Sequence, residues 1–174
     1  MRDKKRGESR VTGAGVIVGS ASFPGDRAVK RGRMVTKPLR CIGRDGERTF
    51  HYRYEWDDDQ ITFEVHREPN PDHETMNRDR WFQLTLVPLH ESAMRIKWIG
   101  PPHRMEPYSA KGIPDALIPE AIAIVGKNVA STSTKRDDGD SLNEYAMGMW
   151  ERFCRQGRAR WAAEENRYYF IPGK

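Results

Sequence analysis

Apolar and polar residues alternate over Thr49–Trp56: Phe50, Tyr52, Tyr54 and Trp56 take one side, His51, Arg53 and Glu55 the other. A period of two predicts a half-buried β-strand. Asp57, Asp58 and Asp59 follow as a turn. Ile61, Phe63 and Val65 then alternate with Thr62, Glu64 and His66, so the two stretches predict an antiparallel hairpin. Beyond the polar stretch Glu68–Arg80, read as a loop or short irregular helix, Trp81–Val87 and Met94–Ile99 predict two further strands. Four sequential strands joined by short turns make an antiparallel meander.

After Gly112 the period changes. Leu117, Ile118, Ala121, Ile122 and Val125 recur at helical spacing, and Gly126 stands where a C-terminal cap belongs. Pro119 lacks the N–H that a helix interior needs, so the regular helix is expected to begin there. Asn128–Ser133 predicts a short buried strand and Thr134–Asp140 a charged loop. Ser141 and Glu144 form a capping box that opens a second helix, with Tyr145, Met149, Trp150 and Phe153 as its apolar face. Arg152 and Arg155 suit the negative end of its dipole, and Gly157 ends it. Arg158–Trp161 and Arg167–Ile171, on either side of a polar turn, predict a closing hairpin. The expected fold class is therefore α/β of the α+β kind: a twisted, mostly antiparallel sheet with two main helices.

Length and composition fit one domain with an appended tail. The chain has 174 residues, of which 10% are aromatic, enough large apolar surface for a core. Its longest apolar run falls well short of the roughly 18 residues of a membrane span, and MRDKKRGESR leads into no hydrophobic signal core, which predicts a soluble, cytoplasmic protein. Cys41 and Cys154 stand alone, without the spacing of a zinc or redox site, and suit a reduced compartment.

The net charge of +5 is unevenly spread: residues 1–40 hold 11 Lys and Arg against 3 Asp and Glu, and residues 41–174 hold 19 against 22. Residues 1–40 are read as a basic, glycine-containing, partly disordered arm in which Val16–Val18 make one short strand, and residues 41–174 as the folded domain. Such an arm can neutralise phosphates, so nucleic-acid contact through residues 1–40 is one expectation. The competing one is a solvated arm, because no aromatics are interleaved with its charges. Gly13, Gly15 and Gly19 do not make a dinucleotide loop, since the apolar run follows the first glycines and Pro24 comes soon after.

Candidate chemistry is sparse. The five histidines, His51, His66, His73, His90 and His103, lack zinc-motif spacing, the three consecutive aspartates read as a solvated turn, and no GxSxG surrounds a serine, so no metal site is expected. One constellation is more specific. The strand Met94–Ile99, a loop through Tyr108, then Ala110-Lys111-Gly112-Ile113 ahead of an apolar helix would direct helix-start amides at an anion. The structural alternative is an ordinary helix start in which Gly112 only makes the turn.

The stretch YSAKGIPDALIPEAIAIVGKNVASTS and the later EYAMGMWERFCRQGRARW carry a resemblance, covering Tyr108 to about Phe170. They resemble the second half of the GCN5-related N-acetyltransferase (GNAT) fold, whose acetyl-CoA loop precedes a Leu-rich helix. They also resemble uncharacterised bacteriophage and plasmid proteins with a Lys-Gly-Ile-Pro turn. The resemblance implies an acetyltransferase-like sheet, acetyl-CoA as cofactor held by the amides of Lys111, Gly112 and Ile113, and acyl transfer to an amine. Glu55, Glu64 and His66, on neighbouring strands, are the candidate general bases. Ser109, Pro114, Asp115 and Trp150 depart from the family pattern at positions that bind or protonate. Those departures favour a second expectation, a phage or mobile-element accessory protein that keeps the fold and binds a host protein or nucleic acid without catalysis.

Overall fold

A computed structural model describes residues 36–68, 81–101, 108–134 and 144–172. The first strand, β1 (Lys37–Gly43), sends Leu39 and Cys41 inward and Lys37, Pro38, Arg40 and Ile42 outward. It was not expected from the sequence, and it begins within the stretch assigned to the basic arm. Its apolar alternation is only two residues long, too short to stand out beside Arg40 and Arg44.

The meander is present and gains β1 as a fifth member. β2 (Gly46–Asp57) and β3 (Gln60–His66) pair antiparallel, with Tyr52 opposite Val65 and Tyr54 opposite Phe63. The Asp57–Gln60 pair closes the turn, where Asp58 takes φ 49°, a conformation aspartate tolerates. β4 (Phe82–His90) and β5 (Ala93–Gly100) continue the antiparallel ladder.

The helix α1 (Ile113–Val125) then crosses over to β6 (Asn128–Ala130), which is the parallel neighbour of β5. Of the stretch Asn128–Ser133, only the first three residues form strand. Next come α2 (Glu144–Arg155) and the hairpin of β7 (Ala159–Ala162) and β8 (Arg167–Phe170). The sheet order is β1-β2-β3-β4-β5-β6-β8-β7. Helix α1 packs on both β1 and β6, which are separated by four strands, so the sheet curls around it.

The core gathers Phe50, Tyr52, Phe63, Leu84 and Leu86 from the meander, Ile113, Leu117, Ile118 and Ala121 from α1, and Met149, Trp150 and Phe153 from α2. Trp150 meets Phe153 edge to face at 5.9 Å and stacks on Tyr168 at 6.0 Å. Tyr145, expected on the same helix face, is 67% exposed. The buried series runs Ala146, Met149, Trp150, Phe153, and at 100° per residue Tyr145 falls outside that stripe. Gly157 ends α2 in a Schellman motif, its N–H bonding Cys154 O at 3.0 Å and that of Arg158 bonding Phe153 O at 2.8 Å.

Helix α1 begins six residues earlier than its proline suggested. Pro119 leaves the carbonyl of Asp115 without an intrahelical donor, and the Arg158 guanidinium supplies one, Nη2 to O at 2.7 Å. A distant side chain thus repairs the ladder, which no local rule anticipates. The Val16–Val18 strand, most of Glu68–Arg80 and the Ser141 cap lie outside the described residues. Among the described residues, no helix is long and apolar enough to cross a membrane.

Candidate functional site

The loop into α1 is built against the end of β1. Ala110 O accepts the N–H of Arg44 at 3.0 Å, and Lys111 Nζ reaches Asp45 at 2.7 Å. That hydrogen bond is the main cause that lowers the Asp45 carboxyl below its ordinary value. Gly112 has φ 73° and caps α1 without a side-chain hydrogen bond. A Cβ there would stand 2.2 Å from Ile42 O, and one on Gly43 would stand 2.6 Å from Ala110 O. Two glycines therefore let two backbones touch, and the close approach expected for a ligand at Gly112 is made by β1.

Of the three residues expected to hold a pyrophosphate, Lys111 is ion-paired, Gly112 faces Ile42 and Ile113 buries its side chain completely. What they offer a ligand is the uncapped first turn of α1, whose proline at position 114 contributes no N–H. Asp115 occupies that turn and is held by Arg152 at 2.6 Å and Arg158 at 3.0 Å. Lys111, Arg152 and Arg158 surround the helix start with three cations against Asp45 and Asp115, leaving one net positive charge.

The three candidate bases share a different place, the face of the meander opposite the helices. Strand alternation puts His51, Arg53 and Glu55 of β2, Thr62, Glu64 and His66 of β3, and Gln83 and Thr85 of β4 on this one side. Glu55 is exposed there. Glu64 is committed to Arg53, with Nε to Oε2 at 2.8 Å and Nη2 to Oε2 at 2.7 Å, the arginine being only 4% exposed. Arg53 also lies over the Trp81 ring at 4.6 Å, a cation–π contact.

His66 is the chemically distinctive member. It is fully buried, packed 5.6 Å from the Trp81 ring, and its Nδ1 faces the carbonyl of Glu68. A carbonyl only accepts, so Nδ1 carries the proton and Nε2 keeps a lone pair. Burial, aided by the Arg53 and His51 charges, pushes its pKa below the ordinary histidine value and favours the neutral ring. His66 Nε2 and Trp81 Nε1 are both buried without a hydrogen-bond partner, an acceptor and a donor on adjacent rings.

The structure thus collects Glu55, Glu64 and His66 on one face and leaves Lys111–Ile113 at the end of β1. Arg53 and Trp81 were not singled out from the sequence. The Arg53–Glu64 pairing was within reach, because the hairpin register centred on the aspartate turn places those two residues opposite each other. Among the described residues, no group of three or more His, Cys, Asp or Glu is placed to hold a metal ion. Models of known protein families, curated proteins and solved structures give no match to the chain.

Proposed function

We propose that the chain is a GNAT-like N-acyltransferase that moves an acyl group from acyl-CoA to an amine. One observation carries this reading. β5 and β6 run parallel for only three residue pairs, Ala93 with Asn128 to Arg95 with Ala130. Beyond them β5 stays with β4, while residues 131–134 bond to β8 and the residue before it, through Ser131 N to Tyr168 O and Thr134 N to Asn166 O. The helix joining this parting pair starts beyond the end of β5 at which the pair has opened. An antiparallel meander, one parting parallel pair bridged by a helix, a second helix and a closing hairpin support this reading.

Acyl-CoA supplies an activated thioester, and its pyrophosphate finds an uncapped helix start with Lys111, Arg152 and Arg158 nearby. The protein's own contribution is Glu55, the exposed member of the three candidate bases, which accepts the proton that the attacking amine gives up. His66 and Trp81 are buried beneath that face and, with the Arg53–Glu64 pair, hold it in place.

The test is calorimetric titration with acetyl-CoA, followed by acetylation of a panel of amines. Saturable binding is expected in the wild type. Glu55→Gln is expected to keep that binding and lose about a hundredfold in turnover. Absence of binding at millimolar acetyl-CoA overturns the reading. It would leave the accessory protein that binds a host protein or nucleic acid, which the contact of Gly112 with Ile42 and the carboxylates of Asp45 and Asp115 favour.

A further inference from the structure

At the other end of β5, away from the loop into α1, a chain of side chains joins the β4–β5 turn to the closing hairpin. Ser92 Oγ lies 3.3 Å from His90 Nδ1, and His90 Nε2 lies 3.2 Å from the hydroxyl of Tyr169. Tyr169 donates in turn to Glu165 Oε2. The fold dictates the meeting. His90 pairs with Ala93 across a two-residue turn, Ala93 pairs with Asn128 of β6, and Ala130 of β6 pairs with Tyr169.

The direction of every hydrogen bond in this chain is determined. An ionised glutamate only accepts, so the single proton of Tyr169 is committed to Glu165. Burial and the same carboxylate raise the tyrosine pKa to about 12, so it stays protonated. The Tyr169 oxygen can then only accept from His90, which places the imidazole proton on Nε2 and leaves a lone pair on Nδ1. That lone pair faces the hydroxyl of Ser92. Ser92 and His90 are both exposed, whereas Tyr169 is 4% exposed and anchors the series. Arg160 lies 5.2 Å over the tyrosine ring.

We propose that Ser92 is a nucleophilic serine, activated by His90 and oriented through Tyr169 and Glu165, that accepts acyl groups from small activated esters. Ser92 Oγ attacks the carbonyl carbon and passes its proton to His90 Nδ1. The bond from carbon to the leaving oxygen or sulfur breaks, and that group takes the proton from His90 as it departs. The products are an O-acyl serine and a free phenol or thiol, with no oxidant or co-reactant required. The Tyr169–Glu165 pair supports the imidazolium that forms between the two transfers. The inference does not depend on acyl-CoA binding elsewhere in the chain.

The experiment uses the full chain and p-nitrophenyl acetate. The expected result is one acetyl group per chain by intact mass, mapped to Ser92 by peptide sequencing, with p-nitrophenol released in step. Ser92→Ala removes the adduct, and His90→Gln slows its formation by about a hundredfold. Glu165→Ala, at an exposed position, keeps the fold, removes the acceptor and frees the tyrosine proton to point at His90. It is expected to move the imidazole proton from Nε2 to Nδ1 in nitrogen NMR and to slow acetylation by about tenfold or more. Acetylation only at lysines or the N-terminus overturns the proposal, as does a Ser92 adduct that forms equally fast in His90→Gln.

Discussion

Gly112 is a glycine for two reasons that add. Its φ of 73° strains any side chain, and a Cβ would press on Ile42 O at 2.2 Å. Gly112→Ala is therefore expected to cost about 2–4 kcal/mol of stability in urea denaturation, from backbone strain and overcrowding together. A glycine that left this space open for a ligand would show only the backbone strain, about 1 kcal/mol. Cys41 illustrates the same principle for chemistry. Burial, with the Asp115 charge second, raises its thiol to about 12, so thiolate is scarce at neutral pH. It should escape alkylation in the native protein and react stoichiometrically once the chain is unfolded, as mass spectrometry of labelled protein would show. Neither property was legible in the sequence, where Gly112 and Cys41 lie 71 positions apart and the strand that brings β1 to the loop carries only two inward apolar residues.

At the scale of elements, α1 depends on a residue outside it. Arg158→Met removes the donor to Asp115 O and one partner of the Asp115 carboxylate, at an expected cost of about 1–3 kcal/mol. Pro119→Ala restores an N–H to that carbonyl. In a double-mutant cycle it should lower the cost of Arg158→Met, and strictly additive effects would show that the guanidinium does not replace the missing bond. In α2, Trp150→Ala is expected to cost about 3–5 kcal/mol, because the indole is fully buried between Phe153 and Tyr168. The strands and caps of this molecule were readable where the pattern is local: the Asp57–Asp59 hairpin, the glycine caps at 126 and 157, and the final hairpin all stand where period and turn chemistry put them. Reading failed where a long-range contact overrides a local rule, as at Pro119, or where a stripe is narrow, as at Tyr145.

For the molecule as a whole, the polar face sets a pH response. In the folded state His66 resists protonation, because burial lowers its pKa from the usual histidine range near 6.5. As pH falls below about 6.5 the unfolded chain binds a proton there that the folded chain refuses, so stability declines until the lower folded pKa is passed. Urea titrations at about pH 7.5 and 5.5 should show a larger loss for wild type than for His66→Gln. Equal losses would mean that the ring is protonated in the native state. Sheet order lay further from reach of the sequence than strand identity. Alternation told which side of each strand is buried, but not that β6 joins β5 in parallel or that β8 precedes β7 across the sheet. The polar face was visible as the outward half of the alternation, while the orphaned atoms of His66 and Trp81 emerge only once their rings are placed.

An open sheet of this kind has two margins, and here they are defended differently. Among the described residues β1 and β7 lie at the ends of the strand order. Along β1 the outward positions hold Lys37, Pro38, Arg40 and Ile42; the proline cannot donate to an incoming strand, and Lys37 with the ion-paired Arg40 keeps the strand charged beside the exposed Ile42. β7 is only four residues long and has Arg160 at its centre, too short a template for extensive pairing. Substituting Pro38 and Arg40 by Thr would leave the core positions Leu39 and Cys41 untouched yet remove the guard. The resulting chain should form fibrils that bind thioflavin T at concentrations where the wild type stays clear, so that resistance to self-assembly rests on a few outward residues of a strand whose inward residues do the folding.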